Sequence, residues 1–154
     1  MVAQATDKPR VRVAALIVLD GHVVLVRHRA GNRTYHLLPG GGVDWGETLE
    51  SALIREIAEE TGLTATTGRL IFVNDTIDPS GRRHVVNITF EARVTGGQIT
   101  STPQDPRVEA VDLFHPDELA RLDLRPPMAE ALSAWIGGVA PKSPYLGSLF
   151  TPGV

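Results

Sequence analysis

Two apolar runs open the patterned part of the chain, Val11 to Leu19 and His22 to His28, both rich in β-branched residues and leucine. Asp20-Gly21 separates them, and a two-residue link of this kind suits the positive φ of a tight hairpin, so the pattern predicts two paired strands. Gly31-Asn32-Arg33 breaks the chain before a short run, Tyr35 to Leu38. Pro39 and the glycines Gly40 to Gly42 come next, a composition that predicts a tight loop rather than a regular element. From Thr48 to Thr61 the spacing turns helical, with Gly62 as a C-terminal stop. At about 100° per residue, Leu53, Ile54, Ile57 and Ala58 share one arc, and Arg55, Glu56, Glu59 and Glu60 fill most of the remainder. The helix is therefore expected to lay the apolar arc on a sheet and turn its acids toward a cleft.

Leu70 to Ile77 and His84 to Val94 read as strands joined by the turn-rich Asp78-Pro79-Ser80-Gly81, with Gly96-Gly97 ending the second. Arg107 to Phe114 predicts a last strand, and Pro116 to Leu122 and Pro127 to Ile136 short helices. Strands flanking one strong central helix argue for an α/β domain. The chain divides into a loose lead-in over residues 1–10, one domain over 11–137 and a Pro-rich tail over 138–154. Within that tail, Tyr145, Leu146, Leu149 and Phe150 suit either a cover for the core or a contact with a second subunit.

Composition narrows the classes. A chain of 154 residues is one domain in size and buries enough surface to fold unaided. Apolar residues at 42 % and charged residues at 21 % are ordinary for a globular protein, so disorder is not expected. With no cysteine, disulfides, thiolate metal sites and a cysteine nucleophile are excluded. The formal charge of −3 argues against a nucleic-acid coat protein, and an acidic chain that binds phosphates needs local basic groups or a bridging cation. Ala14 to Leu19 is too short to span a membrane and lacks a signal-like cleavage region, so the expectation is a soluble, cytoplasmic protein.

The chemistry lies between Gly41 and Leu63. Gly41 is followed after five residues by Glu47, then after seven by Arg55-Glu56-Ile57, Ala58, Glu59-Glu60, Thr61 and Gly62-Leu63. Glu56, Glu59 and Glu60 stand at i, i+3 and i+4, so their carboxylates converge on one helical face and repel unless a cation offsets them. Oxygen-only ligands favour a hard ion such as Mg²⁺, with Mn²⁺ able to substitute. Arg55 is placed to orient a neighbouring carboxylate through a forked hydrogen-bond pair. A solvated acidic helix face is the plain alternative for Glu59-Glu60 alone; the full spacing arises by chance on the order of once in 10⁸ start points.

This spacing matches the Nudix box at every defined position, with Ile57 and Leu63 in its two aliphatic slots, and over residues 11–137 the chain resembles the Nudix (MutT-like) hydrolases. The resemblance implies an α/β/α sandwich with a mixed sheet and a loop–helix–loop catalytic motif. It implies Glu59, Glu60 and the Gly40 carbonyl as metal ligands, Glu56 as ligand or general base, and Arg55 and Glu47 as an orienting pair. The reaction implied is attack of water on one phosphorus of a diphosphate in a nucleotide-type small molecule. In some branches the base is instead an acid before the last strand, where this chain has Asp105 and Glu109; Glu109 also suits a plain surface role. Leu113 stands where the family often has tryptophan.

Other residues are weaker candidates. Arg27 and Arg29, Gly41, and Arg82 and Arg83 are expected to meet substrate, although Arg82, Arg83 and His84 also suit an ordinary hairpin tip. Trp45 reads as a lid or a packing residue, and Tyr35, His36, Phe72 and Asn87 as pocket or core. Pro79, about sixteen residues beyond the box, resembles the ADP-ribose branch, and Leu38-Pro39-Gly40-Gly41-Gly42 resembles the nucleoside-triphosphate clean-up enzymes. ADP-ribose or another nucleotide sugar is the favoured substrate. The intact box and the lack of a DNA-binding segment after Ile136 argue against a sensor module, and the acidic balance against capped RNA. No membrane and no stable nucleic-acid partner are expected; the family suggests a homodimer.

Overall fold

Val13 to Ile17 and Val23 to Val26 are apolar without interruption, as strands covered on both faces must be. In the computed structural model of the protein, which describes residues 8–152, these runs occupy the centres of two sheets. Strand β1 (Arg10–Leu16) sends Val13 and Ala15, with Ile17 beyond its end, into a core completed by Leu53 and Ile57 of helix α1 (Leu49–Thr61). Its alternate residues Ala14 and Leu16 enter a second core with Phe72, Leu119 and Leu132. Period-two alternation thus divides one strand between two helical layers.

The chain does not run as one strand from Val11 to Leu19. It breaks at Ile17, and β2 (Val18–Leu19) crosses to the second sheet to pair with β3 (His22–Ala30). Continuous burial had hidden the break, because an apolar run with no polar interruption carries no register. The predicted hairpin turn is present, with φ of 50° at Asp20 and 78° at Gly21. β4 (Arg33–Leu37) extends β2's side of β3, and β8 (Val108–Phe114) lines its other edge.

The glycine run is a strand, β5 (Gly40–Gly42), and not the loop that its composition predicted. A Cβ on Gly40 would lie 2.0 Å from the Val13 carbonyl oxygen, so only glycine lets this segment come so close to β1. β6 (Leu63–Ile77) starts directly after α1 rather than at Leu70, and pairs irregularly with β7 (His84–Gly97) between Thr67 and Phe72. The first sheet runs β5-β1-β7-β6 and then β9 (Tyr145–Ser148), and is mixed, with β1 parallel to β7 and antiparallel to β5. Residues Pro116–Arg121 form a 3₁₀ helix and Ala129–Ile136 helix α2, both on the face opposite α1. The architecture is an α/β/α sandwich.

Of the expected lead-in, Met1 to Asp7 lie outside the described residues, and Arg10 already pairs with Val85 in the sheet. At the other end, Tyr145–Ser148 form β9, parallel to β6. The Val73 N–H donates to Pro144 O at 2.9 Å, and the Leu149 N–H to Asp75 O at 2.7 Å. No helix among the described residues is long and apolar enough to cross a membrane.

Candidate active site

Helix α1 is capped at both ends by the residues its sequence offers. Thr48 Oγ1 accepts the Ser51 N–H at 3.0 Å, and Gly62, with φ of 80°, donates its N–H to Ala58 O at 3.0 Å. Its buried face differs from the predicted arc. Ile54 is 37 % exposed and Ala58 faces solvent, whereas Glu56 and Glu60 are only 7 % and 2 % exposed. The inward arc is Ala52, Leu53, Glu56, Ile57 and Glu60, because the Gly40 N–H of β5 seats Glu60 and Arg55 engages Glu56, partners that no periodicity reveals.

Each acid has a defined seat. The Gly40 N–H donates to Glu60 Oε1 at 2.7 Å. Pairing of Val13 with Gly41 turns both polar groups of Gly40 away from β1, so its carbonyl faces the same side as that N–H. Burial pushes the Glu60 carboxyl up to about 7, and the neighbouring Glu56 and Asp105 add to the rise; the Gly40 N–H and Arg12 oppose it. A Cβ on Gly41 would lie 2.4 Å from the Glu56 carboxyl carbon, so the glycine cradles that carboxylate.

Arg55 ties loop to helix. Its Nε and Nη2 donate to Glu47 Oε2 and Oε1 at 2.8 and 2.7 Å, a forked pair that joins the two residues the family resemblance couples. Nη1 donates to Glu56 Oε1 at 2.8 Å and to Glu59 Oε2 at 3.4 Å. The fork, with the Asp44 N–H at 2.9 Å, holds the Glu47 carboxyl down at about 2, and Glu47 above all raises the pKa of Arg55.

These residues open onto a cleft of about 360 Å³ lined by Gly40 to Gly42 and Glu60. Arg82 and Arg83, Tyr35 and Asn87 also reach it, as the sequence suggested. Arg10, Arg12, Arg107 and Arg125 line it as well, and sequence reasoning missed them. The alternation Arg10-Val11-Arg12 was a usable signal, since it puts both arginines on one face of β1. Arg107 and Arg125 carry no such signal; they arrive from separate loops. An acidic chain thus gathers its cations where an anion would sit.

Several expected residues stand elsewhere. Arg27 and Arg29 do not line this cleft; their Nε atoms lie 3.1 and 2.7 Å from the Glu109 carboxylate. Arg29 above all holds Glu109 below the usual carboxylate range. Asp105, the other acid of that region, is the one brought beside Glu60, and it is held low by Arg107 at 2.8 Å. His36 bonds Asp112 at 2.8 Å, and Phe72 packs on Trp135 in the core. Trp45 is fully exposed, and Leu113 is an exposed residue of β8.

The donor set suits a hard divalent cation. Glu56, Glu59, Glu60 and the Gly40 carbonyl offer oxygen alone, and Gly41 leaves the space that a side chain would fill. As they stand, no three acidic or histidine side chains among the described residues are gathered closely enough to hold an ion, since Arg55 and Gly40 engage the carboxylates.

Comparison with known proteins identifies the family. The NUDIX domain profile matches residues 8–135. An ADP-ribose pyrophosphatase of Methanocaldococcus jannaschii is 35 % identical over 113 residues, covering 73 % of this chain and 67 % of that protein. A MutT-like protein of Streptomyces ambofaciens is 31 % identical over 121 residues, covering 76 % and 72 %. Among solved structures, a NUDIX hydrolase from Nitrosomonas europaea superposes with a TM-score of 0.73 at 25 % identity, covering 88 % of this chain and 94 % of that one. The box, its seating at the cleft and these matches together place the chain in the Nudix hydrolase family.

Proposed function

We propose that this Nudix hydrolase cuts the diphosphate linkage of a nucleoside diphosphate joined to a further group, with ADP-ribose or another nucleotide sugar as substrate and Mg²⁺ as cofactor. The observation that carries the reading is the complete box seated against β5, with Glu60 buried in the wall of an arginine-lined cleft and Glu56 buried beside Gly41. A divalent cation held by Glu56, Glu59, Glu60 and the Gly40 carbonyl would neutralise charge on the diphosphate and acidify a water. Arg55 and Glu47 lock the loop to the helix and hold Glu56 in place. Arg10, Arg12, Arg82, Arg83 and Arg107 compensate the phosphate charge from the cleft wall. Proton acceptance falls to a carboxylate of the helix, since these acids stand with the Gly40 carbonyl where the cation would be held, whereas Glu109 is turned to Arg27 and Arg29 outside the cleft. Attack of the water oxygen on one phosphorus breaks the bridging P–O bond and leaves two phosphorylated fragments.

The ADP-ribose pyrophosphatase relative and the place of Pro79 in the β6–β7 turn, beside the cleft residues Asp78, Arg82 and Arg83, favour a nucleotide sugar. The MutT-like relative keeps a second reading, nucleoside-triphosphate clean-up. Product analysis on ADP-ribose, other nucleotide sugars and (d)NTPs, with Mg²⁺ and with EDTA, separates them. Metal-dependent AMP from ADP-ribose is expected; mononucleotide and pyrophosphate from triphosphates would favour the second reading, and no turnover on any compound would refute both. We further propose a homodimer, which a monomer mass in light scattering would refute.

A further inference from the structure

The family match ends at residue 135, but the cleft does not. Beyond that point the chain returns along β6 as β9 and places Leu149, Phe150 and Thr151 in the cleft wall. β5 and β9 are the opposite edges of the five-stranded sheet, four strand spacings or roughly 19 Å apart. The C-terminal segment therefore stands at the end of the cleft away from the glycine strand and its acids.

Tyr35, Phe150 and the imidazole of His28 are the aromatic rings among the residues that line this cleft. The ring of Tyr35 is already engaged, with the Arg125 guanidinium 4.6 Å above it and His28 packed edge-on at 5.5 Å. Arg125 in turn has two nitrogens held by Asp123 at 2.8 Å. Among the described residues Phe150 joins no aromatic or cation–π pair, and unlike its neighbours Leu146 and Leu149 it is not packed on the core. It is a half-buried ring in a wall otherwise rich in arginine. A flat π-system laid on it would leave water, and stacking of that kind strengthens binding by about fivefold to a hundredfold per base.

We infer that Phe150 is the stacking platform for the nucleobase, so that base recognition resides in the C-terminal segment and hydrolysis in the box. The inference rests on the proposed function only in taking the ligand to be a nucleotide. The test is equilibrium binding in EDTA, where nothing is turned over, of ADP-ribose and of its counterpart lacking the base. Wild type is expected to bind ADP-ribose at least about fivefold more tightly than the abasic compound. Phe150→Ala and Phe150→Leu both lose that preference while binding the abasic compound as before, and Phe150→Trp retains it. A wild type that binds the two compounds equally, or neither, overturns the inference, as does a variant that loses affinity for both alike or for neither. Binding with the expected preference but no hydrolysis on adding Mg²⁺ would remove the enzymatic reading and leave this one standing.

Discussion

Gly40 and Gly41 are adjacent and both buried, yet a methyl group added to each meets different matter. At Gly40 it would lie 2.0 Å from the Val13 carbonyl oxygen and 2.8 Å from Ala14 Cα, both main chain of the strand shared by the two cores. Relief requires β1 and β5 to part, which disturbs ladder bonds such as Ala15 N–H to Pro39 O at 2.8 Å. Overpacking costs about 1–3 kcal/mol, and a lost bond about 1 kcal/mol more. A total near 3 kcal/mol lowers Tm by roughly 6–12 °C in a domain of this size. At Gly41 the added carbon would meet Cδ and Oε1 of Glu56 at 2.4 Å, and a side chain can swing away. The swing breaks the 2.8 Å bond from Arg55, but the freed carboxylate regains water, so the fold loses little. Chemistry suffers instead, since misplacing a reacting group by about 1 Å costs on the order of 10²-fold. Gly41→Ala is therefore expected to keep Tm within about 4 °C of wild type and to lose about two orders of magnitude in kcat/KM. Gly40→Ala is expected to melt far earlier. Calorimetry together with product release under Mg²⁺ reads both effects. Wild-type turnover in Gly41→Ala, or equal Tm losses in the two variants, would show that the glycine cradle has no part in seating Glu56.

Arg55→Lys removes the fork on Glu47 while keeping the charge, and kcat is expected to fall about 10- to 100-fold, the usual cost of losing an orienting partner; an unchanged kcat would refute the positioning role. The Glu47 carboxyl is held down at about 2 in the fold, so its contribution to stability is complete above its ordinary value of 4.5 and is lost as pH falls toward 2. Urea titrations between pH 5 and 2.5 should therefore fall less steeply with acid for Glu47→Gln, and superimposable curves would contradict that linkage. Thr48→Ala deletes the N-cap of α1 and should cost about 1 kcal/mol, or roughly 2–4 °C in Tm; no shift would mean that Ser51 finds another acceptor.

What the sequence made legible was what spacing alone decides. The helix stop at Gly62 and the hairpin at Asp20-Gly21 are local relations that stand in the fold as read, and the Glu47–Arg55 pair stands as the family resemblance implies. The misreadings share a cause, which is that long-range neighbours set the outcome. Glycines read as a loop became a strand because β1 lies against them, and no local rule contains β1. Periodicity put Ile54 and Ala58 on the buried arc and did not show that Glu56 and Glu60 are buried, because the partners of those acids are the Gly40 N–H of β5 and Arg55. Two of the cleft arginines carried no signal for the same reason: Arg107 and Arg125 reach Arg12 only once distant segments have folded together.

The parallel pairing of β1 with β7 has a consequence for biosynthesis. Arg10 and Leu16 find their partners at Val85 and Glu91, so at 5–20 residues per second the first strand waits roughly 4–15 s after it is made. Its apolar run Val13 to Ile17 feeds both cores, and through that interval it has no central neighbour to cover it. Closing so long a loop before any contact rewards it makes sheet assembly a late event, ordered after the glycine strand and the helix have emerged. A ribosome-bound chain halted before residue 85 should therefore be a better client for a holdase chaperone than the same chain released at full length.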